Sequence, residues 1–250
     1  KAAVEKLFTE AMLQDPASLY QETREMQRHF ILHIGDTNTG KTHDALEALK
    51  NAEMGVYLAP LRLLALEVQE RLLDAGVNCS MTTGEEDDFR PFATHLSCTV
   101  EKMFSIDQCA IVPEVAVIDE AQMLADPDRG WAWLRALLAL PCETIHVCLS
   151  GNAENILIRI IEMCEDSYEI VRHERTIALE GEEDVPFRFP KSVRPHDALV
   201  AFSKRKVLRL AAELETAHIN TSIIYGALPY QVRKEEVRKF LSGETEVLVS

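Results

Sequence analysis

The chain has 250 residues, of which 47% are hydrophobic and 27% are charged, and its formal net charge is −15. Its composition is that of a globular protein with a sizeable core, and the lack of an apolar stretch of about 18 uncharged residues argues against a membrane span. The negative charge argues against a protein held on nucleic acid by bulk electrostatics alone. The length favours one complete domain and part of a second.

Residues 1–29 are predicted to form a helical segment broken at Pro16. Its amphipathic start carries Glu5 and Glu10 and has no small-residue cleavage site, a pattern typical of neither a secretory signal nor a transit peptide. The six cysteines lack the spacing of zinc ligand pairs, so we expect buried, reduced thiols. Reduced thiols favour a reducing compartment, either the cytoplasm of a bacterium or the mitochondrial matrix of a eukaryote.

A phosphate-binding loop is predicted next, because the strand-like run Phe30–Ile34 leads into GDTNTGKT at residues 35–42 and then into a helical pattern. Such a loop cradles phosphate oxygens with backbone N–H groups at a helix N-terminus. The lysine adds a charge for the β- and γ-phosphates, and the last hydroxyl binds Mg²⁺. The predicted nucleotide-binding residues are Gly35, Asp36, Thr37, Asn38, Thr39, Gly40, Lys41 and Thr42. The alternative is a glycine-rich turn that ends in Lys-Thr.

Strand-like and helical patterns then alternate, which predicts an α/β fold with a mainly parallel sheet flanked by helices. The predicted strands are 55–59, 79–83, 94–98, 115–118 and 144–149, and the predicted helices are 61–75, 130–140 and 153–164. Trp131 and Trp133 are expected to pack the helix at 130–140 against the core.

The strand at 115–118 runs directly into Asp119-Glu120-Ala121-Gln122. In phosphate-loop enzymes, a strand that ends in such carboxylates serves the magnesium shell and the attacking water. Asp119 is therefore predicted to hold Mg²⁺ together with Thr42, and Glu120 to act as the general base. This motif fits two classes, the cellular thymidine kinases and the superfamily 2 helicases. The kinases typically carry paired CxxC zinc ligands, which this sequence lacks.

A second domain is predicted to follow, with boundaries at residues 30–172 for the first and 173–250 for the second. The pattern from residue 198 starts again as strand, helix, strand, helix and strand, after a predicted strand at 176–179 and an acidic stretch at 180–184. Residues 188–250 hold 11 Lys or Arg against 7 Asp or Glu, a local excess of positive charge. This cluster indicates either a nucleic-acid contact or a solvated basic helix face.

Several segments in the same order resemble the suppressor-of-var-three family of ATP-dependent RNA helicases over about residues 17–250. They are FILHIGDTNTGKT at 30–42, GVYLAPLRLLALE at 55–67, TGEE at 83–86, SCTVE at 97–101, VAVIDEAQMLADPDRGWAWLRALLAL at 115–140, FSK at 202–204 and IIYGALP at 223–229. The resemblance implies a RecA-like domain that binds ATP and Mg²⁺, followed by part of a second RecA-like domain. The implied partner is single-stranded or partly duplex RNA, with DNA as a possibility and an exoribonuclease as a further partner.

The resemblance also assigns roles to individual residues. Residues 35–42 bind ATP, Lys41, Asp119 and Glu120 carry hydrolysis, and Gln122 links the γ-phosphate to the second domain. Ser150, Gly151 and Asn152 couple hydrolysis to strand movement. The implied contacts with the sugar-phosphate backbone of one strand are Pro60, Arg62, Thr83, Gly84, Glu85, Thr99, Glu101, Ser203, Lys204, Tyr225 and Gly226.

The sequence departs from the family pattern in two places: Asp36 stands where relatives usually have proline, and LSGNA at 149–153 replaces an acidic GEPA-like sequence. Family sequences also continue beyond the equivalent of Val247–Ser250 into motifs that supply an arginine finger. We therefore expect this chain alone to have little or no ATPase activity, since such an arginine speeds phosphoryl transfer about 10³-fold or more. A nucleotide- and strand-binding module without turnover is the third alternative.

Overall fold

The computed structural model describes residues 20–36, 39–108, 111–174 and 186–250. The chain divides into two compact units, Lys1–Ala178 and Leu179–Ser250. The predicted strand at 176–179 and most of the predicted N-terminal helical segment lie outside the described residues. The predicted domain boundaries remain predictions.

The first unit alternates strands and helices along most of its length. Its helices are α1 (Gln21–Glu25), α2 (Lys41–Asn51), α3 (Arg62–Asp74), α4 (Ser105–Gln108), α5 (Gly130–Ala139) and α6 (Glu154–Met163). Its strands are β1 (His29–Gly35), β2 (Gly55–Ala59), β3 (Cys79–Thr82), β4 (Asp87–Asp88), β5 (His95–Thr99), β6 (Val115–Ile118), β7 (Thr144–Leu149) and β8 (Ser167–His173).

These strands form one eight-stranded sheet in the order β4-β3-β5-β2-β6-β7-β1-β8. Every pairing is parallel except the one between β3 and β4. Because parallel strands all end at the same edge, the residues that follow β1, β2, β5, β6 and β7 gather along that edge. The predicted α/β fold with a mainly parallel sheet is confirmed.

The core of this unit lies on the two faces of the sheet. Every residue of β2 and of β5 is buried, as expected for parallel strands covered by helices on both faces. Trp133 of α5 is fully buried, whereas Trp131 has 53% of its surface exposed, so its predicted packing role is wrong. Two positions separate them, about 200° around a helix, so they face opposite sides. The described cysteines, Cys79, Cys98, Cys142, Cys148 and Cys164, are buried, as predicted for them.

The second unit holds a smaller sheet. Its elements are β9 (Ala198–Leu199), α7 (Lys204–Thr216), β10 (Thr221–Ile223), α8 (Tyr230–Leu241) and β11 (Val247–Val249). The strands pair in parallel in the order β10-β11-β9 around a core of Val207, Leu214, Val247 and Val249. Among the helices described in either unit, none is both long and apolar enough to span a membrane.

Candidate nucleotide site and strand-binding surface

The predicted phosphate loop joins the end of β1 to the start of α2. Gly40 has φ +85°, a left-handed conformation that suits glycine. A Cβ on Gly35 would lie 2.6 Å from Thr39 Oγ1 and 2.7 Å from the His173 carbonyl oxygen. Gly35 is therefore required by close packing, and Gly40 by the backbone turn. Thr37 and Asn38 lie outside the described residues.

Lys41 is the first residue of α2, and only 5% of its surface is exposed. Its Nζ donates to the carbonyl oxygens of Gly35 and Asp36, each at 3.1 Å. The ammonium group thus has two carbonyl groups of the loop as its partners. An anionic phosphate would be a stronger partner for this charge than a neutral carbonyl.

Asp119 follows β6 at the same edge of the sheet and is 3% exposed. Its Oδ1 lies 3.4 Å from the Thr42 hydroxyl, which donates to it, and also accepts from the Glu120 backbone N–H at 2.9 Å. Burial raises the pKa of the Asp119 carboxyl, and the nearby Glu120 carboxylate adds to this, whereas a hydrogen bond from Tyr57 opposes it. A hydroxyl and a carboxylate oxygen are ligands that suit Mg²⁺, so these residues fit the metal predicted for them.

Glu120 and Gln122 connect this carboxylate to the next strand. Glu120 has φ +50°, so the backbone turns sharply directly after Asp119. The Gln122 amide donates to the Glu120 carboxylate, and its Oε1 accepts from the Ser150 backbone N–H at 3.1 Å. Ser150 Oγ donates to Asn152 Oδ1 at 2.5 Å, next to Gly151. Of the predicted hydrolytic and coupling residues, Asp119, Glu120, Gln122, Ser150 and Asn152 therefore form one hydrogen-bonded group.

Two residues that the sequence analysis did not assign to the site support Asp119. The Tyr57 hydroxyl donates to Asp119 Oδ2 at 2.7 Å, and the Trp133 indole Nε1 donates to the Asp119 backbone oxygen at 2.9 Å. Tyr57 is the one side chain with a polar tip in the apolar strand at 55–59, and this is the feature of the sequence that could have indicated its role. Trp133 belonged to a distinctive segment, but its sequence position indicated only packing.

A cleft of about 400 Å³ opens beside these groups, between α2 and α3. It is lined by Thr39, Gly40, Lys41, Thr42, His43, Leu46, Tyr57, Leu64, Glu67, Val68, Arg71, Asp119 and Glu120. Loop backbone, lysine and carboxylates therefore face a common space that is open to solvent.

In the first unit, the residues predicted to contact a nucleic-acid strand lie at or just after the ends of β2, β3 and β5. Arg62 forms ion pairs with Glu85 and with Glu86, the latter at 2.6 Å. Thr83 is buried, and its hydroxyl donates to the Glu86 carbonyl oxygen at 3.0 Å, which shapes a turn whose Gly84 and Glu85 are exposed. Arg62 and Glu85 are therefore brought together, but as partners of each other.

A second part of this surface is joined by an arginine that the sequence analysis did not assign. Arg129 Nη2 donates to the Pro60 carbonyl oxygen at 2.7 Å, and its Nε donates to Glu101 Oε1 at 2.8 Å. Pro60 and Thr99 are buried, and Glu101 is half-buried. Pro60 thus offers little surface for a direct contact with a strand.

In the second unit, the predicted residues fall into one capping pair and one cation–π pair. Ser203 is the N-cap of α7, and its Oγ accepts from the Lys206 backbone N–H at 3.3 Å. Lys204 Nζ lies 4.8 Å from the centre of the Tyr225 ring, which is followed by the exposed Gly226. Lys204 and Tyr225 thus form one small surface.

The parallel sheet, the phosphate loop and the carboxylate after β6 together define a RecA-like phosphate-loop domain. A family model described as the DEXQ-box helicase domain of Suv3 matches residues 16–173. That match covers more than half of the chain, and the chain therefore belongs to the Suv3 family of DEXQ-box helicases.

Related proteins of the same family match nearly the whole chain. It is 40% identical over 98% of its length to the protein named "ATP-dependent RNA helicase SUV3L, mitochondrial" of Oryza sativa subsp. japonica, of which it covers 33%. It is 39% identical over 94% of its length to "ATP-dependent RNA helicase SUV3, mitochondrial" of Saccharomyces cerevisiae, of which it covers 32%. The chain thus spans about a third of the length of these relatives.

A solved structure of Saccharomyces cerevisiae Dbp5 bound to RNA and ADP BeF3 has a similar fold. It matches with a TM-score of 0.56 and 16% identity, over 89% of this chain and 65% of that chain. This likeness confirms the predicted RecA-like fold and says nothing more of this chain.

Proposed function

We propose that this chain is the ATP-binding part of an ATP-dependent RNA helicase. The observation that carries the proposal is the meeting of Thr42 with Asp119, and of Lys41 with the loop carbonyl groups, in a chain of the Suv3 family. These are the parts that a phosphate-loop ATPase needs: a cradle, a cation, metal ligands and a carboxylate beside them. The two relatives described above are both named ATP-dependent RNA helicases.

Each residue of the nucleotide site has a chemical task in this proposal. Backbone N–H groups of residues 35–42 and the Lys41 ammonium bind the phosphates, and Thr42 and Asp119 hold Mg²⁺. When bound, the metal offsets the charge that develops on the transferred phosphoryl group. Glu120 accepts the proton of the attacking water as general base. Gln122 keeps Glu120 in place through its amide while its oxygen is held by the Ser150 backbone.

Strand binding belongs to the edge of the sheet where β2, β3 and β5 end. Arg62 offers a cation and the exposed turn at Gly84 and Glu85 offers backbone groups, which suit the sugar-phosphate backbone better than base edges. Thr83, Thr99 and Glu101 lie beside them, where the Thr83 hydroxyl holds the turn and Glu101 pairs with Arg129. In the second unit, Ser203, Lys204, Tyr225 and Gly226 provide the corresponding contacts. ATP binding and hydrolysis would then drive movement of the strand.

The names of the relatives also bear on location and partners. Both relatives are named mitochondrial, which supports a mitochondrial location and gives the bacterial cytoplasm no support. An exoribonuclease partner and the use of DNA stay predictions.

ATP turnover by the full-length protein, measured with and without single-stranded RNA, tests the proposed function. We expect RNA to increase turnover. Thymidine phosphorylation without nucleic acid would instead establish the kinase alternative, which the family membership disfavours. Binding of nucleotide and RNA with no turnover under any condition would establish the module without activity.

A further inference from the structure

One side chain joins two of the loops that the proposed function uses and contacts a ring that is hydrogen-bonded to a third. Arg129 lies directly before α5 and donates through Nη2 to the Pro60 carbonyl oxygen at 2.7 Å and through Nε to Glu101 Oε1 at 2.8 Å. Pro60 follows β2, and Glu101 follows β5. The planar guanidinium fork fixes the distance between these two loops, because its donors point in set directions.

The third loop is reached through the ring of Trp133. The guanidinium carbon of Arg129 lies 5.3 Å from the centre of that ring, within cation–π distance. The indole Nε1 donates to the Asp119 backbone oxygen at 2.9 Å, and Trp133 is fully buried. Arg129 and Trp133 therefore connect the loops after β2 and β5 to Asp119, which follows β6 and bears the proposed metal-binding carboxylate.

The turn that carries Arg129 has little freedom to adjust. Asp126 Oδ1 accepts from the backbone N–H groups of Asp128 and Arg129 at 2.9 and 2.8 Å. A Cβ on Gly130 would lie 2.3 Å from the Leu124 carbonyl oxygen. A displacement of the Pro60 or Glu101 loop is thus more easily passed on to Trp133 than absorbed in this turn.

Arg135 of the same helix adds a second contact to Glu101, donating from Nη2 to its backbone oxygen at 2.9 Å. The Arg129 and Glu101 side chains keep 35% and 29% of their surfaces exposed, so a strand on this surface can reach the pair. The link therefore begins where a strand would bind and ends at the hydrolytic site.

We propose that Arg129 is a positioning residue that couples strand binding to ATP hydrolysis, acting through Trp133 on Asp119. The proposal rests on the proposed function. It assigns Arg129 no contact with the nucleotide. The predicted signature is therefore a change in the response to RNA, with nucleotide affinity retained.

The test compares the full-length wild type with Arg129→Ala, Arg129→Lys and Trp133→Phe, which keeps a ring but removes the indole donor. Arg159→Ala, at an exposed arginine of α6, is the matched control. For each variant, affinity for a fluorescent ATP analogue, the thermal midpoint, maximal RNA-stimulated turnover and the RNA concentration at half-maximal stimulation are measured. Arg129→Lys keeps the charge but cannot reproduce the fork, so it separates geometry from charge.

We expect Arg129→Ala to lower RNA-stimulated turnover roughly tenfold and to raise the half-stimulating RNA concentration, as loss of charged hydrogen bonds in a coupled network would do. Nucleotide affinity should stay within about twofold of wild type. Arg129→Lys should recover part of the RNA response, and Trp133→Phe should lower maximal turnover with less effect on the half-stimulating concentration.

Wild-type RNA stimulation in Arg129→Ala and in Arg129→Lys would overturn the proposal. Parallel loss of the thermal midpoint, nucleotide affinity and RNA response in both would overturn it too, since this is what a packing role predicts. If Arg129→Ala does not fold, Arg129→Lys and Trp133→Phe decide by the same measures. A wild type without RNA stimulation would refute the proposed function itself, which is a separate outcome.

Discussion

The Thr42 hydroxyl and the Asp119 carboxylate lie 77 positions apart in the sequence, yet 3.4 Å separates their oxygens. They meet because β1 and β6 both pair with β7 in parallel, so that the phosphate loop and the residues after β6 emerge at one edge. The proposed nucleotide site depends on this contact between Thr42 and Asp119.

Lys41→Ala should abolish nucleotide binding. Its Nζ donates to two carbonyl oxygens of the loop, and in the proposed function it is the cation that binds the phosphates. Binding of a fluorescent ATP analogue measures the effect, with Lys50→Ala as the control because Lys50 pairs with Glu47 at the far end of α2. Nucleotide affinity equal to that of wild type would show that the loop has another role.

Tyr57→Phe should raise the Mg²⁺ concentration needed for half-maximal turnover about tenfold, the order expected when the partner of a metal ligand is removed. The change deletes only the hydroxyl that holds Asp119 Oδ2, and the ring remains in the core. Tyr168→Phe is the matched control, since its hydroxyl donates to Glu162 on the surface. An unchanged Mg²⁺ requirement in Tyr57→Phe would remove Tyr57 from the site.

Arg62→Ala and Glu86→Gln should change RNA affinity in opposite directions. Glu85 and Glu86 compete with phosphate for Arg62, so neutralising Glu86 frees the cation, whereas Arg62→Ala removes it. A lost phosphate contact lowers the slope of log affinity against log salt by about one. RNA binding at several salt concentrations measures both effects, with Arg90→Ala as the control for an exposed arginine. Equal affinity in all variants would exclude Arg62 as a strand contact.

Much of this site could be predicted from the sequence, because the phosphate loop and the Asp-Glu motif are local patterns beside apolar strands. The hydrogen bonds that Tyr57, Trp133 and Arg129 form with the loops of the site could not be predicted, because each of them depends on which strands are neighbours. Tyr57 lies opposite Val117 across the pairing of β2 and β6, a register that appears only in the folded sheet.

Two strands of the first unit, β4 and β8, are absent from the predicted set, and this has a physical reason as well. β8 lies at the sheet edge and is mostly exposed, so Ser167–His173 carries charged residues and lacks a buried strand's apolar run. β4 consists of Asp87 and Asp88, a residue type that strands disfavour. Pairing with β1 and β3, respectively, outweighs these local preferences.

The stability of the first unit should fall as the pH is lowered from 6.5 to 4. The His33 ring forms hydrogen bonds with His146 at 2.8 Å and with His173 at 3.0 Å. Burial, with smaller contributions from the two neighbouring rings, lowers the pKa of His33 to about 4, and Asp44 partly opposes the shift. The folded state therefore keeps His33 neutral in this range while the unfolded chain takes up a proton, which costs at most about 3 kcal/mol.

Thermal unfolding at several pH values measures this effect. His33→Gln should flatten the dependence of the midpoint on pH between 4 and 6.5, whereas His43→Gln, at an exposed position in the same unit, should not. A profile equally steep in wild type and His33→Gln would assign the acid sensitivity to other groups.

Separation of an RNA duplex by the full-length protein and by its Glu120→Gln variant tests the central claim most directly. The variant keeps the shape of the side chain and removes the proposed base, so it should bind ATP and RNA as wild type does. We predict that the wild type separates the duplex only with ATP and that Glu120→Gln fails to do so. Separation without ATP, or equal separation by Glu120→Gln, would contradict the account.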